Sequence, residues 1–318
     1  MLKIDTHCHL GGSISPAFVW QVIQEQNLKY LAESYDDVVS SMTFGPLEKR
    51  DFHKFLDKFK IIDCIKWNEN LIEMSIRDIC HNLELNNIDY CWMDFSINKY
   101  LDSGMKWHKH EAIQFIYDIF QKYRPNKVGL ILSLKYESMR ASQRQYSKLI
   151  EHDAAQKCLI GLDLVGDEGY FDSDFYASIF RDWNSAGKIT RAHVGESQSE
   201  NNIKEAIDKL HVTNIAHGFK IINDINIVKL AKENNITFDL AITSNNVTGV
   251  WPFHISHPGI KMLDMGLRCT LGSDDPIQCS TTLDNEFRVA KLIGFSDDQL
   301  NRMRQIAYEN TVKILNNY

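Results

Sequence analysis

No apolar run in the sequence approaches the roughly 18 residues that cross a bilayer, so no membrane span is expected. Met1-Leu2-Lys3 leads straight into a strand-like segment without a charged-then-apolar leader, and export is not expected either. There is no C-x-x-C pair. The seven cysteines (Cys8, Cys64, Cys80, Cys91, Cys158, Cys269, Cys279) are odd in number and scattered, which fits reduced, mostly buried thiols in a cytoplasmic protein. Basic and aromatic-basic clusters are missing too. With 35 basic against 42 acidic residues the net charge is -7, which offers no field to attract nucleic acid. Repeats, low-complexity tracts and Pro/Gly/Ser linkers are absent, so no boundary divides residues 1–318, and one domain is expected. The hydrophobic share of 44% and charged share of 24% are ordinary for a globular protein.

What recurs is a short apolar run followed by a longer helical pattern. Strand candidates cover residues 2–10, 89–96, 127–135, 159–165, 188–193, 213–217, 236–242 and 267–271. Helical spacing covers 16–26, 111–123, 138–155, 175–186, 202–210 and 223–234, with a helix-rich insertion after the first strand running through residue 87. Alternation of this kind implies parallel strands, because only a crossover helix returns the chain to pair in parallel. Eight units point to a closed (β/α)8 barrel of the α/β class. A doubly wound open sheet is the alternative, but the first turn lacks the G-x-G-x-x-G phosphate loop that would favour it.

Near the start stands Asp5-Thr6-His7-Cys8-His9-Leu10-Gly11-Gly12-Ser13. On a strand alternate side chains share a face, so His7 and His9 point together and Cys8 points away. The glycines then break the strand, which places both histidines at its C-terminal end. A pair of this kind is weak evidence by itself, as His108-Lys109-His110 illustrates. That second pair opens a helix, where residues two apart diverge by about 200° and do not readily share an ion.

In a barrel, chemistry collects at the C-terminal ends of the strands. Those ends carry Gly161-Leu162-Asp163-Leu164-Val165-Gly166-Asp167-Glu168, His193-Val194-Gly195-Glu196, His217-Gly218, Thr243-Ser244-Asn245 and Gly272-Ser273-Asp274-Asp275-Pro276. With His7 and His9, His193 and Asp274 complete a set of three imidazoles and one carboxylate, which suits zinc and is also open to iron and other first-row metals. Each residue alone has a plainer reading: His193 as a hydrogen-bonded core histidine, Asp274-Asp275 as helix-capping residues ahead of Pro276. Three strand ends supplying four ligands favour the metal. Glu196 lies three positions beyond His193, past a turn that Gly195 permits, where a carboxylate faces the ion without binding it and can shuttle protons. Its plainer reading is a charge ahead of the next helix. His217 is similarly placed one strand on.

These pieces, together with His7-Cys8-His9-Leu10, Thr248-Gly249 and His257-Pro258, resemble the adenosine deaminase family of metal-dependent amidohydrolases over nearly the whole chain. The resemblance implies a barrel with one zinc ion, held by His7, His9, His193 and Asp274, that hydrolyses the amino group from C6 of a purine. It implies Glu196 and His217 as catalytic residues, with Glu196 protonating ring N1 and His217 orienting the attacking water or taking its proton. It also implies Asp275 at purine N7 and the backbone of Gly166 at N3. Phe55 and Phe59, with Phe52, form an apolar stripe that reads as core packing; the family implies a gate over the purine there. One departure stands out. Many members carry an acidic residue after His-Leu, at the ribose hydroxyl, where this chain has Gly11. The following Gly12-Ser13-Ile14-Ser15 is more similar to the branch acting on N6-methylated adenine nucleotides, so a site tolerant of change at the 5′ position is expected, with Ser13 and Ser15 as contacts. The competing classes are a catalytically silent binding protein on the same fold and another metal-dependent hydrolase, for instance of phosphate esters.

Overall fold

The computed structural model describes residues 2–45, 47–102, 105–138, 145–253 and 256–316. Eight strands are β1 (Ile4–His9), β2 (Tyr90–Phe95), β3 (Val128–Lys135), β4 (Leu159–Val165), β5 (Ile189–Val194), β6 (Asn214–His217), β7 (Thr237–Leu240) and β8 (Arg268–Leu271). They lie in sequence order in one sheet, each parallel to the next. Just beyond β8 the chain meets β1: the His9 N–H donates to the Asp274 carbonyl at 2.8 Å and the Asp274 N–H to that of His7 at 2.7 Å. This bridge closes a (β/α)8 barrel.

The strands read as near-continuous apolar runs because a parallel sheet is buried on both faces. In β2 alternation still sorts the side chains. Cys91, Met93 and Phe95 pack into the large core shared with the helices. Tyr90 and Trp92 form a second cluster with Ile4, Ile131 and Ile160 from neighbouring strands. β1 is irregular: Ile4 belongs to the second cluster and Cys8 to the first, although residues four apart on a regular strand share a face. The pairing with β2 shifts between Asp5 and Cys8, and that bulge turns His7 and His9 toward the barrel axis.

Between β1 and β2 the chain forms helices Pro16–Glu25, Tyr35–Met42, Phe52–Asp57, Lys60–Asp63 and Glu69–Leu85. Later crossovers include Lys109–Tyr123, Ser173–Ser185, Ile225–Glu233 and Pro258–Asp264, and Leu283–Leu292 and Asp297–Leu315 close the chain. Three expected elements differ. The helix expected over 138–155 is represented by two short ones, Gln145–Leu149 and Asp153–Cys158; residues 139–144 lie outside the described residues. The helix expected over 202–210 starts earlier, at Glu200–Glu205, where the Ser199 side chain caps it, and its last turn, Ala206–Leu210, widens to a π turn. The strand expected over 236–242 stops at Leu240, and Ile242–Val247 is helical because the buried Glu286 carboxylate receives the Thr243 N–H at its first turn, at 3.0 Å. Thr243-Ser244-Asn245 therefore ride on a helix that overlies the barrel mouth.

Candidate active site

At that mouth the four expected ligands meet. His7 Nε2 lies 3.2 Å from His9 Nε2, 3.1 Å from His193 Nε2 and 3.4 Å from Asp274 Oδ1, and His9 Nε2 lies 3.2 Å from the same oxygen. All four donor atoms fall within 4.8 Å of one another. Two ring nitrogens this close share at most one proton, so lone pairs outnumber protons at the centre, which is the condition a divalent cation satisfies. Charge points the same way. Burial opposes charging His9, but Asp275, Asp274 and Asp94 outweigh it and push its pKa up to about 10, which reflects the carboxyls gathered around it. A cation of three-nitrogen, one-oxygen coordination fits.

A buried polar layer holds these ligands from below. Arg191 lies two residues before His193 on β5, so both share the inner face. Its guanidinium binds Asp94, Asp163 at 2.7 Å and Asp239 at 3.3 Å, and donates to the Thr6 carbonyl at 2.8 Å, all among buried groups. The Asp163 carboxylate also stands 3.3 Å from His193 Nδ1, and the Leu164 carbonyl 3.1 Å from it, which turns the other ring nitrogen inward. Asp5 accepts from the Ser273 N–H at 3.1 Å and hydroxyl at 2.6 Å, which ties the Asp274 turn to β1. Sequence reasoning assigned no role to Arg191, Asp94, Asp163, Asp239 or Asp5. A signal existed, since each is a charge inside a strand, and Asp94, Asp163 and Asp239 stand in otherwise mostly apolar runs.

Beside the ligands stand Glu196 and His217. Glu196 Oε2 is 3.6 Å from His217 Nε2, which lies 3.8 Å from Asp274 Oδ2. Gly195, at φ 71°, makes the turn that brings Glu196 round, and the Glu168 carboxylate fixes that turn by accepting the N–H groups of Gly195, Glu196, Ser197 and Gln198 at 2.6–3.2 Å. The role of Glu168 was not foreseen. Burial, with Asp274 next in effect, raises the Glu196 carboxyl to about 8, so it is protonated at neutral pH. Burial lowers the pKa of His217 and keeps it neutral. His217 and Asp274 both have left-handed backbone, at φ 60° and 59°, a strain of the kind that collects at functional sites.

The expected substrate contacts separate into two groups. Asp275 is buried beside Gly12, where a Cβ would lie 2.0 Å from Asp275 Oδ1, so only glycine lets this carboxyl stand next to the ligand cluster. Burial and the adjacent Asp274 hold Asp275 well above the ordinary carboxylate range. Gly11 faces Phe59, whose ring edge is 3.9 Å from where a Cβ would be, and Phe59 pairs edge-on with buried Phe55 at 5.5 Å. Phe55 packs with Phe44, Val247 and Cys279 beside the Asp275 turn, so the pair has both a core side and a mouth side. Gly166, at φ 102°, lies under the Glu137 carboxylate, an oxygen of which would be 2.4 Å from an added Cβ. Ser13 and Ser15 are occupied elsewhere: the Ser13 hydroxyl donates to the His9 carbonyl at 2.8 Å, and Ser15 caps Pro16–Glu25 by accepting the Phe18 N–H at 3.1 Å. His108 and His110 do not diverge as a helix would have them do. His108 is the extended N-cap residue of Lys109–Tyr123, and its ring stacks on that of His110 at 5.6 Å, apart from the ligand cluster.

Known proteins resemble this chain along nearly its whole length. A family profile described as Adenosine deaminase matches residues 3–313. An adenosine deaminase of Shewanella denitrificans is 25% identical over 313 residues, covering 96% of this chain and 92% of that protein. Among solved structures, an adenine deaminase from Arthrobacter aurescens superposes with a TM-score of 0.83 at 18% identity, covering 96% of this chain and 92% of the other. An N6-mAMP deaminase of Arabidopsis does so with a TM-score of 0.81 at 18% identity, covering 97% and 92%. The chain belongs to the adenosine deaminase family, hydrolytic purine deaminases that act on carbon–nitrogen bonds.

Proposed function

We propose that the protein is a zinc-dependent aminohydrolase of an adenine nucleoside or nucleotide, in which water replaces the 6-amino group of the purine and ammonia leaves. The observation that carries this reading is the largely buried Glu196 carboxyl, 3.6 Å from His217, at the rim of a four-donor cation site. His7, His9, His193 and Asp274 would hold the ion; zinc suits that donor set, and when bound it supplies Lewis acidity that makes water reactive at neutral pH. Glu196 then gives its proton to ring N1, which withdraws electrons from C6 and opens it to attack. His217 contacts the attacking water. Asp275, which burial and Asp274 hold well above the ordinary carboxylate range, faces N7, to which its acid form would donate a hydrogen bond. The seven scattered cysteines support a reducing, cytoplasmic setting.

Gly11 favours extending the substrate class to 5′-nucleotides, including N6-methylated ones, because no acidic side chain at that position repels a phosphate. The Arabidopsis relative of that description has the same fold. The experiment is ammonia release from adenine, adenosine, AMP and N6-methyl-AMP by purified, zinc-loaded protein, with metal content measured in parallel. About one ion per chain and turnover of at least one of these is expected, and His7→Ala and Asp274→Ala should lose both ion and turnover. An ion-loaded protein inert toward every purine would instead be the silent binding protein, and unchanged metal content in both variants would remove the proposed ligands.

A further inference from the structure

Asn245 is fully buried on the helix Ile242–Val247, where its single amide reaches three groups. Its Nδ2 lies 3.1 Å from Glu196 Oε1 and 3.2 Å from His217 Nδ1, and its Oδ1 lies 3.3 Å from His257 Nε2. A primary amide carries two hydrogens on nitrogen and none on oxygen, so the direction of every contact follows once one end is anchored. The anchor is at the far end. The Gly259 backbone N–H, which can only donate, points at His257 Nδ1 from 3.1 Å. Nδ1 is therefore the acceptor, and the neutral ring carries its proton on Nε2 and gives it to Asn245 Oδ1. The ring is neutral because His257 is 2% exposed among Phe219, Trp251 and Phe295, and burial lowers its pKa to about 3.

With its oxygen so engaged, Asn245 turns one N–H to Glu196 and the other to His217. We infer that Asn245 and His257 are positioning residues that lock His217 as the Nε2–H tautomer, so that it meets the reacting water as a hydrogen-bond donor and not as a base. The same contacts sort the proton on Glu196: Oε1 accepts from Asn245, and the transferable proton sits on Oε2. In the proposed reaction the Oε2–H bond breaks as the N1–H bond forms. The kinetic part of this inference rests on that reaction, whereas the tautomer does not.

The test is a long-range proton–nitrogen spectrum of zinc-loaded protein with 15N-labelled histidine, in which the His217 signals are assigned by their loss in His217→Gln. The wild type should show its proton on Nε2 and a bare Nδ1. Asn245→Asp keeps the shape but has no N–H to give, so a proton should appear on His217 Nδ1 and kcat should fall by about tenfold or more while KM changes little. His257→Leu should lower kcat similarly, and His257→Gln, whose amide can accept from Gly259 and donate to Asn245, should recover most of it. A proton on Nδ1 in the wild type overturns the inference. So does Asn245→Asp with Nδ1 still bare, or equal turnover in His257→Leu and His257→Gln.

Discussion

Burial raises the Glu196 carboxyl to about 8 from an ordinary 4.5, and its side chain remains 12% exposed, open enough to meet a substrate. Two consequences follow for this one residue. Glu196→Gln has the same shape but no acidic proton, so the variant should keep its metal and lose about 10² to 10⁴-fold in kcat. Wild-type turnover should fall as pH rises through about 8, where the acid form is lost, and that limb should be missing from whatever activity the variant retains. The linkage has a definite sign. A carboxyl whose pKa is raised by folding makes the folded chain hold an extra proton between about 4.5 and 8, so stability falls as pH rises across that window. Urea midpoints of the metal-free protein should show that slope in the wild type and a shallower one in Glu196→Gln; parallel slopes would mean that the carboxyl ionises normally.

Among the elements, the loop after β1 brings Gly11 up to Phe59, just past the helix Phe52–Asp57, where the proposed tolerance of 5′ groups can be tested. Gly11 has no left-handed backbone, and an added Cβ would touch only the Phe59 ring edge, so an aspartate fits there without moving the chain. Two like charges 4 Å apart at an effective dielectric of 20 repel by about 4 kcal/mol. Gly11→Asp should therefore lower kcat/KM for AMP and N6-methyl-AMP far more than for adenosine and 5′-deoxyadenosine. A wild type that strongly prefers adenosine over every 5′-modified compound would refute this role. Elements of this kind were legible in the sequence to different degrees. The eight strands stood out because strands buried on both faces are short apolar runs, and His7-Cys8-His9 showed its face because strand alternation is local. The end of β7 was hidden, since the carboxylate that turns Ile242–Val247 into a helix comes from Glu286, more than forty residues downstream. The backbone bonds of Ser13 and Ser15 could not be read from the sequence, because hydroxyls compete locally for backbone groups as well as for ligands.

At the scale of the whole molecule, Arg191 joins three strands through Asp94, Asp163 and Asp239 beneath the site. Each of these charges was visible in the sequence, but their meeting was not, because which strands face one another inside a barrel depends on its closure. Arg191→Met would leave three buried carboxylates without their cation, and removal of one partner from such a network costs about 3–5 kcal/mol. Thermal and urea unfolding should register that loss; an unchanged midpoint would mean that the network carries no net stability. The closure itself has a further meaning. The two backbone bonds that join the first strand to the turn after the last leave from His9 and Asp274 and arrive at Asp274 and His7, three of the four proposed cation donors. The roundness of the barrel and the spacing of its ligands are thus one coordinate, and slack in one is error in the other. A single residue, Asp274, carries both the bond that rounds the barrel and one of the proposed cation donors, so a change of backbone at that turn would disturb shape and chemistry together.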